Sequence, residues 1–362
     1  MNSVKKKFLI IKPSSIGDIV HALPFLRTLR ANYPGDYIAW MIEESFQDLI
    51  KYNPDLDEVI PIRTKYWRKN FNIQSWNEIC EIKKLIKERK FDWTFDLQGI
   101  IKTGFIALMT GAPNRVGFHK NNCREKVNSW FNNHHSEYIS TGSHIVDRCL
   151  SQLSFLGNFQ PQAEFILSIR PEDENVSKTF MAENSKLAEK PIAGINPGAG
   201  FSTKLWNIEK YAQLADKLIE ELGFSILITW GPGEKEMATK IASTMKQKSW
   251  IAPATTIAES IGLYKKLSLF VGSDSGPFHI CWALDIPTVS VWGPTDPSRN
   301  GAYKKNHKAV FHKLDCSFCW KRQCPLRTTE CMNRITVQNM FEATKKLASK
   351  HVRMVTSSQR TT

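Results

Sequence analysis

The chain has 362 residues, 42% of them hydrophobic, which is enough for two domains of ordinary size and excludes a single small module. Lys plus Arg number 49 against 35 Asp plus Glu, a formal charge of +14, which favours a partner carrying phosphates or carboxylates without choosing between nucleic acid, anionic lipid and a phosphorylated small molecule. The longest apolar stretches, such as Phe8-Leu9-Ile10-Ile11, fall far short of the roughly 20 residues of a membrane-spanning helix, so an integral membrane protein of that type is not expected.

At the N-terminus Lys5-Lys6-Lys7 is basic, but the apolar run behind it ends at Lys12, too soon for a signal-peptide core, and a soluble cytoplasmic chain is expected. Residues 7–12 read as a buried strand; Ile19, Ala22, Leu23, Leu26 and Tyr33 then recur at spacings near three and four, one face of a helix. Strands follow at 37–43, 58–62, 92–97 and 115–118, with helices at 77–90 and about 101–110. Such alternation predicts a mainly parallel sheet with helices on both faces, a first Rossmann-like domain over 1–165.

Prolines, acidic residues and a polar helix between Pro161 and Pro191 read as a linker region, 166–190. A second series begins with a strand at 192–196 and continues through a helix at 208–222, a strand at 225–230, a helix at 234–245 and a strand at 267–272. A short helix at 277–284, with Pro near its first turn, and a strand at 287–292 complete a second Rossmann-like domain over 191–335. A last helix within 336–352 is expected to pack back toward the first domain, and 353–362, rich in Ser, Thr and Arg, to be a disordered tail. The class is therefore α/β, with two Rossmann-like domains facing across a central cleft lined by the loops at the carboxyl ends of the strands.

Four of those loops could carry chemistry. In Lys12-Pro13-Ser14-Ser15-Ile16-Gly17-Asp18, Gly17 allows close backbone approach and Asp18 falls at a helix start, where it either caps the helix or accepts a hydroxyl proton. The loop has neither the G-x-G-x-x-G of dinucleotide binders nor the Gly-Lys-Ser/Thr of a P-loop. In Asn196-Pro197-Gly198-Ala199-Gly200-Phe201-Ser202-Thr203-Lys204 small residues let backbone amides approach a ligand while Lys204 supplies a mobile positive charge; the bland reading is a surface loop with a solvated lysine. Ser273-Asp274-Ser275-Gly276-Pro277-Phe278-His279 ends a strand and opens a helix, whose first amides make an anion site suited to a diphosphate. Glu234, after Trp230-Gly231-Pro232-Gly233, either bonds sugar hydroxyls or simply favours the next helix.

Basic residues gather at Arg63, Lys65, Arg68 and Lys69 and again at Arg115, Lys120, Arg124 and Lys126, a cradle for an anion or merely a solvated face. Asp55-Leu56-Asp57 matches a metal-binding D-x-D by chance, being far from the second-half loops. Eight cysteines do not make a disulfide scaffold at this length, which points to a reducing compartment. Cys316, Cys319, Cys324 and Cys331 give C-x2-C-x4-C-x6-C, either structural zinc ligands or reduced packing cysteines.

These loops, in this order, resemble glycosyltransferase family 9, the heptosyltransferases of the lipopolysaccharide core, over about Phe8 to Tyr303. Ser14-Ser15-Ile16-Gly17-Asp18-Ile19-Val20-His21, Trp40-Met41-Ile42-Glu43-Glu44, Trp67-Arg68-Lys69, Asp96-Leu97-Gln98-Gly99 and Arg124-Glu125 are most like its heptosyltransferase I branch. The resemblance implies a GT-B fold and inverting transfer of L-glycero-D-manno-heptose from ADP-heptose to Kdo of a Kdo-lipid A acceptor. No metal or cofactor is required in that reading; a divalent cation would at most stimulate.

Asp18 is then the general base, and Lys204 is catalytic at the leaving ADP, with Ala199, Gly200, Lys204, Glu234, Asp274, Ser275, Gly276 and His279 on the donor and Ser15, Gly17, Arg68, Lys69 and Arg124 on the acceptor. Such an enzyme works peripherally on the anionic cytoplasmic face of the inner membrane and has no nucleic-acid partner. Asn196-Pro197-Gly198-Ala199-Gly200 and the Cys-rich segment are closer to other branches, so an already heptosylated acceptor, as in heptosyltransferases II and III, is the alternative. A zinc-bearing nucleic-acid-binding protein is a more distant one, for want of a recognition helix or an RNP-type strand.

Overall fold

The computed structural model describes residues 5–140 and 142–358, in two compact units, Met1–Ser168 and Ile169–Thr362. In the first unit the elements run β1 (Lys7–Ile11), α1 (Ile16–Asn32), β2 (Tyr37–Glu43), β3 (Glu58–Ile62), α2 (Thr64–Lys69), α3 (Ile73–Arg89), β4 (Trp93–Asp96), α4 (Ile101–Met109), β5 (Asn114–Gly117), β6 (His134–His135) and α5 (Ile145–Leu150). All pairings are parallel and the sheet order is β3-β2-β1-β4-β5-β6. Burial on both faces explains the unbroken apolar run of β1, where Phe8 to Ile11 are wholly inaccessible. Leu9, Ile11, Met41 and Ile60 of the strands share one core with Ile86 of α3 and Ile106 and Ala107 of α4, so these two helices cover the same face.

Asn72 caps α3 by accepting from the Ser75 amide at 2.9 Å, which starts that helix at Ile73 and not at the expected residue 77. Two negatively charged side chains of the D-x-D triplet have structural partners: Asp55 pairs with Arg27 at 3.1 Å, and Asp57 pairs with Arg30 at 2.5 Å and accepts from the Ile38 amide at 2.8 Å.

The second unit comprises α6 (Asn175–Glu183), β7 (Ile192–Asn196), α7 (Ile208–Leu222), β8 (Ser225–Ile228), α8 (Lys235–Thr244), β9 (Trp250–Ile251), α9 (Ile257–Tyr264), β10 (Leu269–Ser273), α10 (Gly276–Ala283), β11 (Thr288–Trp292), α11 (Pro297–Asn300), β12 (His307–Phe311), α12 (Glu330–Asn333) and α13 (Val337–Ser358). Its parallel sheet has the order β12-β11-β10-β7-β8-β9, which is the order of the first sheet when strands are counted from the start of each unit. Asn207 caps α7 on the Lys210 amide at 2.9 Å, and Gly223 ends it in the left-handed region at φ 70°.

From Ile169 onward the stretch expected as a linker is built into this unit, while Ile166 accepts from Asn53 of the first at 2.9 Å. Helix α6 packs on α9, and Gly262 makes the approach possible: a Cβ there would lie 3.3 Å from the Asp173 carbonyl oxygen and 3.4 Å from Glu174 Cα. Helix α13 packs on α7, β11 and β12 of its own unit, with Met340, Phe341 and Leu347 in that unit's core. Its backbone stays helical to Ser358, into the span expected as a disordered tail, of which residues 359–362 lie outside the described ones. Among the described residues no helix is long and apolar enough to cross a membrane.

Candidate functional site

A parallel sheet of this order reverses its winding between its first and fourth strands, and the loops at their carboxyl ends frame the natural binding crevice. In the first unit those strands are β1 and β4. Ser15 stands at the N-cap of α1 and Asp18 at its third position, where the carboxylate accepts from the Ser15 amide at 3.0 Å and the Ser15 hydroxyl at 3.2 Å. Lys12, only 3% exposed, places its ammonium 3.8 Å from the Asp18 carboxylate and donates to the Leu97 carbonyl at 2.6 Å, tying the loop after β1 to the loop after β4. Gly17 is buried in the first turn, while the Asp18 side chain keeps 34% of its surface accessible. Asp18 thus both caps the helix and presents a carboxylate oxygen to solvent.

The loop after β4 is held from below. Asp96 is wholly buried and accepts from the Gln98 and Gly99 amides at 2.9 and 3.1 Å, from the Thr103 hydroxyl at 2.9 Å and from the Asn128 amide at 2.5 Å. Burial nonetheless pushes its carboxyl up. Arg124 is exposed beside this loop, where Glu125 donates its amide to the Gly99 carbonyl at 3.1 Å and accepts the Ile101 amide at 2.7 Å. Arg68 and Lys69 are exposed at the end of α2, behind β3. The rest of the basic clusters is partly structural: Arg63 pairs with Glu44 and Glu78 at 3.3 and 3.2 Å, and Arg115 donates to the Phe131 and Ala112 carbonyls at 3.1 and 2.8 Å.

In the second unit the reversal lies between β7 and β10, and the two loops are joined by an ion pair. Lys204, on a turn after β7, donates to the Asp274 carboxylate at 2.6 Å, with its side chain 14% and that of Asp274 5% exposed. Asp274 also accepts from the Thr295 hydroxyl at 2.7 Å and from His279 Nε2 at 3.0 Å. The tautomer follows from Trp282, whose indole can only donate and gives its hydrogen to His279 Nδ1 at 3.1 Å, leaving the His279 proton on Nε2. Burial by itself would raise the Asp274 carboxyl, but the His279 hydrogen bond and the Lys204 charge outweigh it and hold the group below the usual carboxylate range. An ionised, fully engaged Asp274 is a holder of Lys204 and not a base.

Ser275 is the N-cap of α10 and Gly276 its first residue, so the amides of Gly276 and Phe278 point out of the helix start, Pro277 having none. The Ser275 hydroxyl is buried with no hydrogen-bond partner among the described residues. Glu234, the N-cap of α8, accepts from the Gly231 amide at 2.8 Å, and burial raises its carboxyl. That carboxylate lies against Gly198, where a Cβ would come within 2.0 Å of it, whereas a Cβ on Gly200 would meet nothing within 4 Å. Ala199 is half-buried and Gly200 exposed.

Sequence reasoning missed Lys12 and Thr295. The first had a visible signal, a lysine continuing a wholly apolar strand; the second, 21 residues from Asp274, had none. Among the described residues no group of three or more His, Cys, Asp or Glu side chains is arranged to hold a metal ion. Cys316 is exposed and Cys319, Cys324 and Cys331 are half-buried, all four unbridged. Their segment braces the loop after β7, the Thr203 hydroxyl donating to the Lys321 carbonyl at 2.8 Å.

Residues 79–329 match the sequence model of glycosyltransferase family 9 (heptosyltransferase). The lipopolysaccharide heptosyltransferase 1 of Pseudomonas aeruginosa is 28% identical over 327 residues, 90% of this chain and 89% of the relative. Among solved structures, a family 9 glycosyl transferase from Veillonella parvula superposes with a TM-score of 0.84 at 22% identity, covering 97% of this chain and 99% of that one, a likeness of fold. The E. coli heptosyltransferase WaaC, solved with ADP, gives a TM-score of 0.70 at 26% identity over 84% of this chain and 92% of its own. The two parallel sheets are thus the two Rossmann-like halves of a GT-B architecture.

Proposed function

The chain belongs to glycosyltransferase family 9, and from that premise we propose that it transfers L-glycero-D-manno-heptose from ADP-heptose to Kdo of a Kdo-lipid A acceptor, with inversion. The observation that carries this reading is the Lys204 ammonium fixed by Asp274 beside the start of α10. A departing nucleoside diphosphate gains negative charge as the glycosidic bond breaks, and a preorientated cation together with helix amides stabilises it in a desolvated site. That electrostatic help is supplied by the chain itself, so no metal step is invoked.

Asp18 acts as general base. The acceptor hydroxyl attacks the anomeric carbon opposite the diphosphate, its proton passes to the Asp18 carboxylate, and the electrons of the breaking C–O bond leave with ADP. One base suffices for inversion. Ser15 and Gly17 flank it on the acceptor side, with Arg68, Lys69 and Arg124 serving the anionic groups of the acceptor. On the donor side Ala199, Gly200, Ser275, Gly276 and His279 frame the diphosphate and Glu234 receives sugar hydroxyls. A lipid-borne acceptor places the work on the cytoplasmic face of the inner membrane.

A second acceptor, an already heptosylated core, is favoured by the Asn196-Pro197-Gly198-Ala199-Gly200 loop and the Cys-rich segment. Incubation with ADP-heptose and Kdo-lipid A, following ADP release and product mass, separates the two. Acceptor-dependent release with a gain of one heptose supports the first; product only from a heptosylated core supports the second.

A further inference from the structure

Of the thirteen large apolar side chains that stand exposed among the described residues, ten belong to the first unit. Most of these ten sit on one helical layer. Phe71, Ile73 and Trp76, at 71, 82 and 55% exposure, surround the start of α3, with the Phe71 and Trp76 rings in contact at 6.5 Å. On α4, Ile101, Phe105 and Leu108 recur at spacings of four and three along the face turned away from the sheet, all of them exposed. Since α3 and α4 bury their inner faces in the same core, their outer faces look out from the same side of the unit.

The layer extends onto the 3-10 turn Lys126–Phe131. Gly104 lets α4 close on that turn, for a Cβ there would lie 2.8 Å from Asn128 Nδ2 and from Phe131 Cδ2, and the Phe105 and Phe131 rings meet at 6.3 Å. Trp130 projects from the turn with 81% of its surface exposed. Basic side chains border the apolar ones: Lys126 on the turn, Arg124 just before it, and Arg68 and Lys69 at the end of α2, which Lys102 of α4 joins through a 2.6 Å hydrogen bond to Thr64. Of the exposed carboxylates in these elements, that of Glu125 accepts the Ile101 amide at 2.7 Å, and Glu81 and Glu88 of α3 stand among Lys83, Lys84 and Lys87.

We propose that this layer is the surface by which the chain docks on an anionic phospholipid bilayer, with Trp76, Phe105 and Trp130 entering at the level of the headgroups, Lys126 facing lipid phosphates, and Arg68, Lys69 and Arg124 adding to the positive field while they serve the acceptor. Amphipathic rings interleaved with Lys and Arg on outward-turned helix faces suit a bilayer interface, which supplies an apolar zone directly beneath a negative surface. The proposal rests on the reading that the acceptor is carried by a lipid, and docking by this layer brings the loops after β3, β4 and β5 to the membrane plane.

The test uses the full chain and a variant combining Trp76→Ser, Phe105→Ser and Trp130→Ser, positions exposed enough to leave the fold intact, with thermal unfolding as the check. Partition onto vesicles of phosphatidylethanolamine and phosphatidylglycerol is compared with partition onto phosphatidylcholine alone. The parent should bind the anionic vesicles in preference, and the variant should lose about tenfold or more in partition, given the apolar area withdrawn. Both should release ADP at the same rate on a delipidated, water-soluble acceptor. Equal partition of variant and parent overturns the proposal, as does a parent that ignores vesicles but self-associates through these residues in sedimentation. Vesicle binding without transfer to any Kdo acceptor leaves the docking surface standing and refutes the functional reading instead.

Discussion

Lys204 and Asp274 meet at 2.6 Å across the point where the second sheet reverses its winding, one on the loop after β7 and the other directly after β10. Both are largely buried, so neither can be removed without stranding the other. Breaking such a pair costs about 3–5 kcal/mol, while replacing both members by apolar residues of similar size is often near neutral. Lys204→Met and Asp274→Leu should each lower the urea midpoint markedly, and the double variant should regain most of the loss without regaining turnover. Additive losses in the double variant would show that the two do not act as a unit.

Asp18→Asn separates two duties of one side chain. The amide oxygen can still accept from the Ser15 amide, which Asp18 does at 3.0 Å, but the buried Lys12 ammonium 3.8 Å away loses its counter-charge, so a stability cost of about 1–2 kcal/mol is expected. Turnover should fall by about a thousandfold, in the range for loss of a positioned base, with ADP affinity nearly unchanged. Parallel loss of ADP affinity in calorimetry would count against Asp18 as the base.

Gly198 and Gly200 stand two residues apart and predict opposite outcomes. A methyl group at position 198 would collide with the Glu234 carboxylate, whereas at 200 it would enter open space. Gly198→Ala should therefore raise the KM for the sugar nucleotide by about tenfold through displacement of Glu234, a shift of ~1.4 kcal/mol. Gly200→Ala should alter it little. Steady-state kinetics on the two variants side by side decide the matter.

His307 gives the second unit a pH dependence. Burial lowers its imidazole from 6.5 to about 4, with the Thr288 hydroxyl 2.9 Å from Nδ1 and Asp285 only partly opposing the shift. The folded form binds fewer protons than the unfolded one in that window, so this contribution is complete above pH 6.5 and is lost as pH falls toward 4. Its size is at most about 3 kcal/mol. His307→Gln should flatten the stability profile over this interval; an unchanged slope in denaturant titrations would exclude His307 as its source.

Strands β2 and β7 were legible to the residue because short apolar runs bounded by turn residues suit a parallel sheet buried on both faces, and β3 was legible from its β-branched residues although only Ile60 and Ile62 are buried. Strands β6 and β9, two residues each, carry no periodicity and form only because a neighbour offers them a ladder. Residues 166–190 read as a linker from their prolines and charges, yet Arg170 closes on Asp173 at 3.0 Å and α6 finds α9, partners that local composition does not encode. In the candidate site, loop position sufficed to put Asp18, Lys204, Asp274 and Ser275 at the strand ends and helix starts where they stand. What topology alone supplies was hidden: Thr295 completing the shell of Asp274, Lys12 reaching Leu97, and Arg115 spent on backbone carbonyls rather than on a ligand.

The margins of the two sheets have a consequence for handling the protein. Strand β3 carries an exposed proline, Pro61, opposite Ile42, and β6 and β9 are too short to template a further strand; β12, five residues long, has α13 packed on its face. A proline removes an amide donor, and a two-residue border offers too few groups for another chain to pair with. Edge-to-edge polymerisation is thereby hindered at both margins of the first sheet and at the β9 margin of the second, so in a solution concentrated for crystallisation or vesicle titration a backbone contact between copies should run through β12.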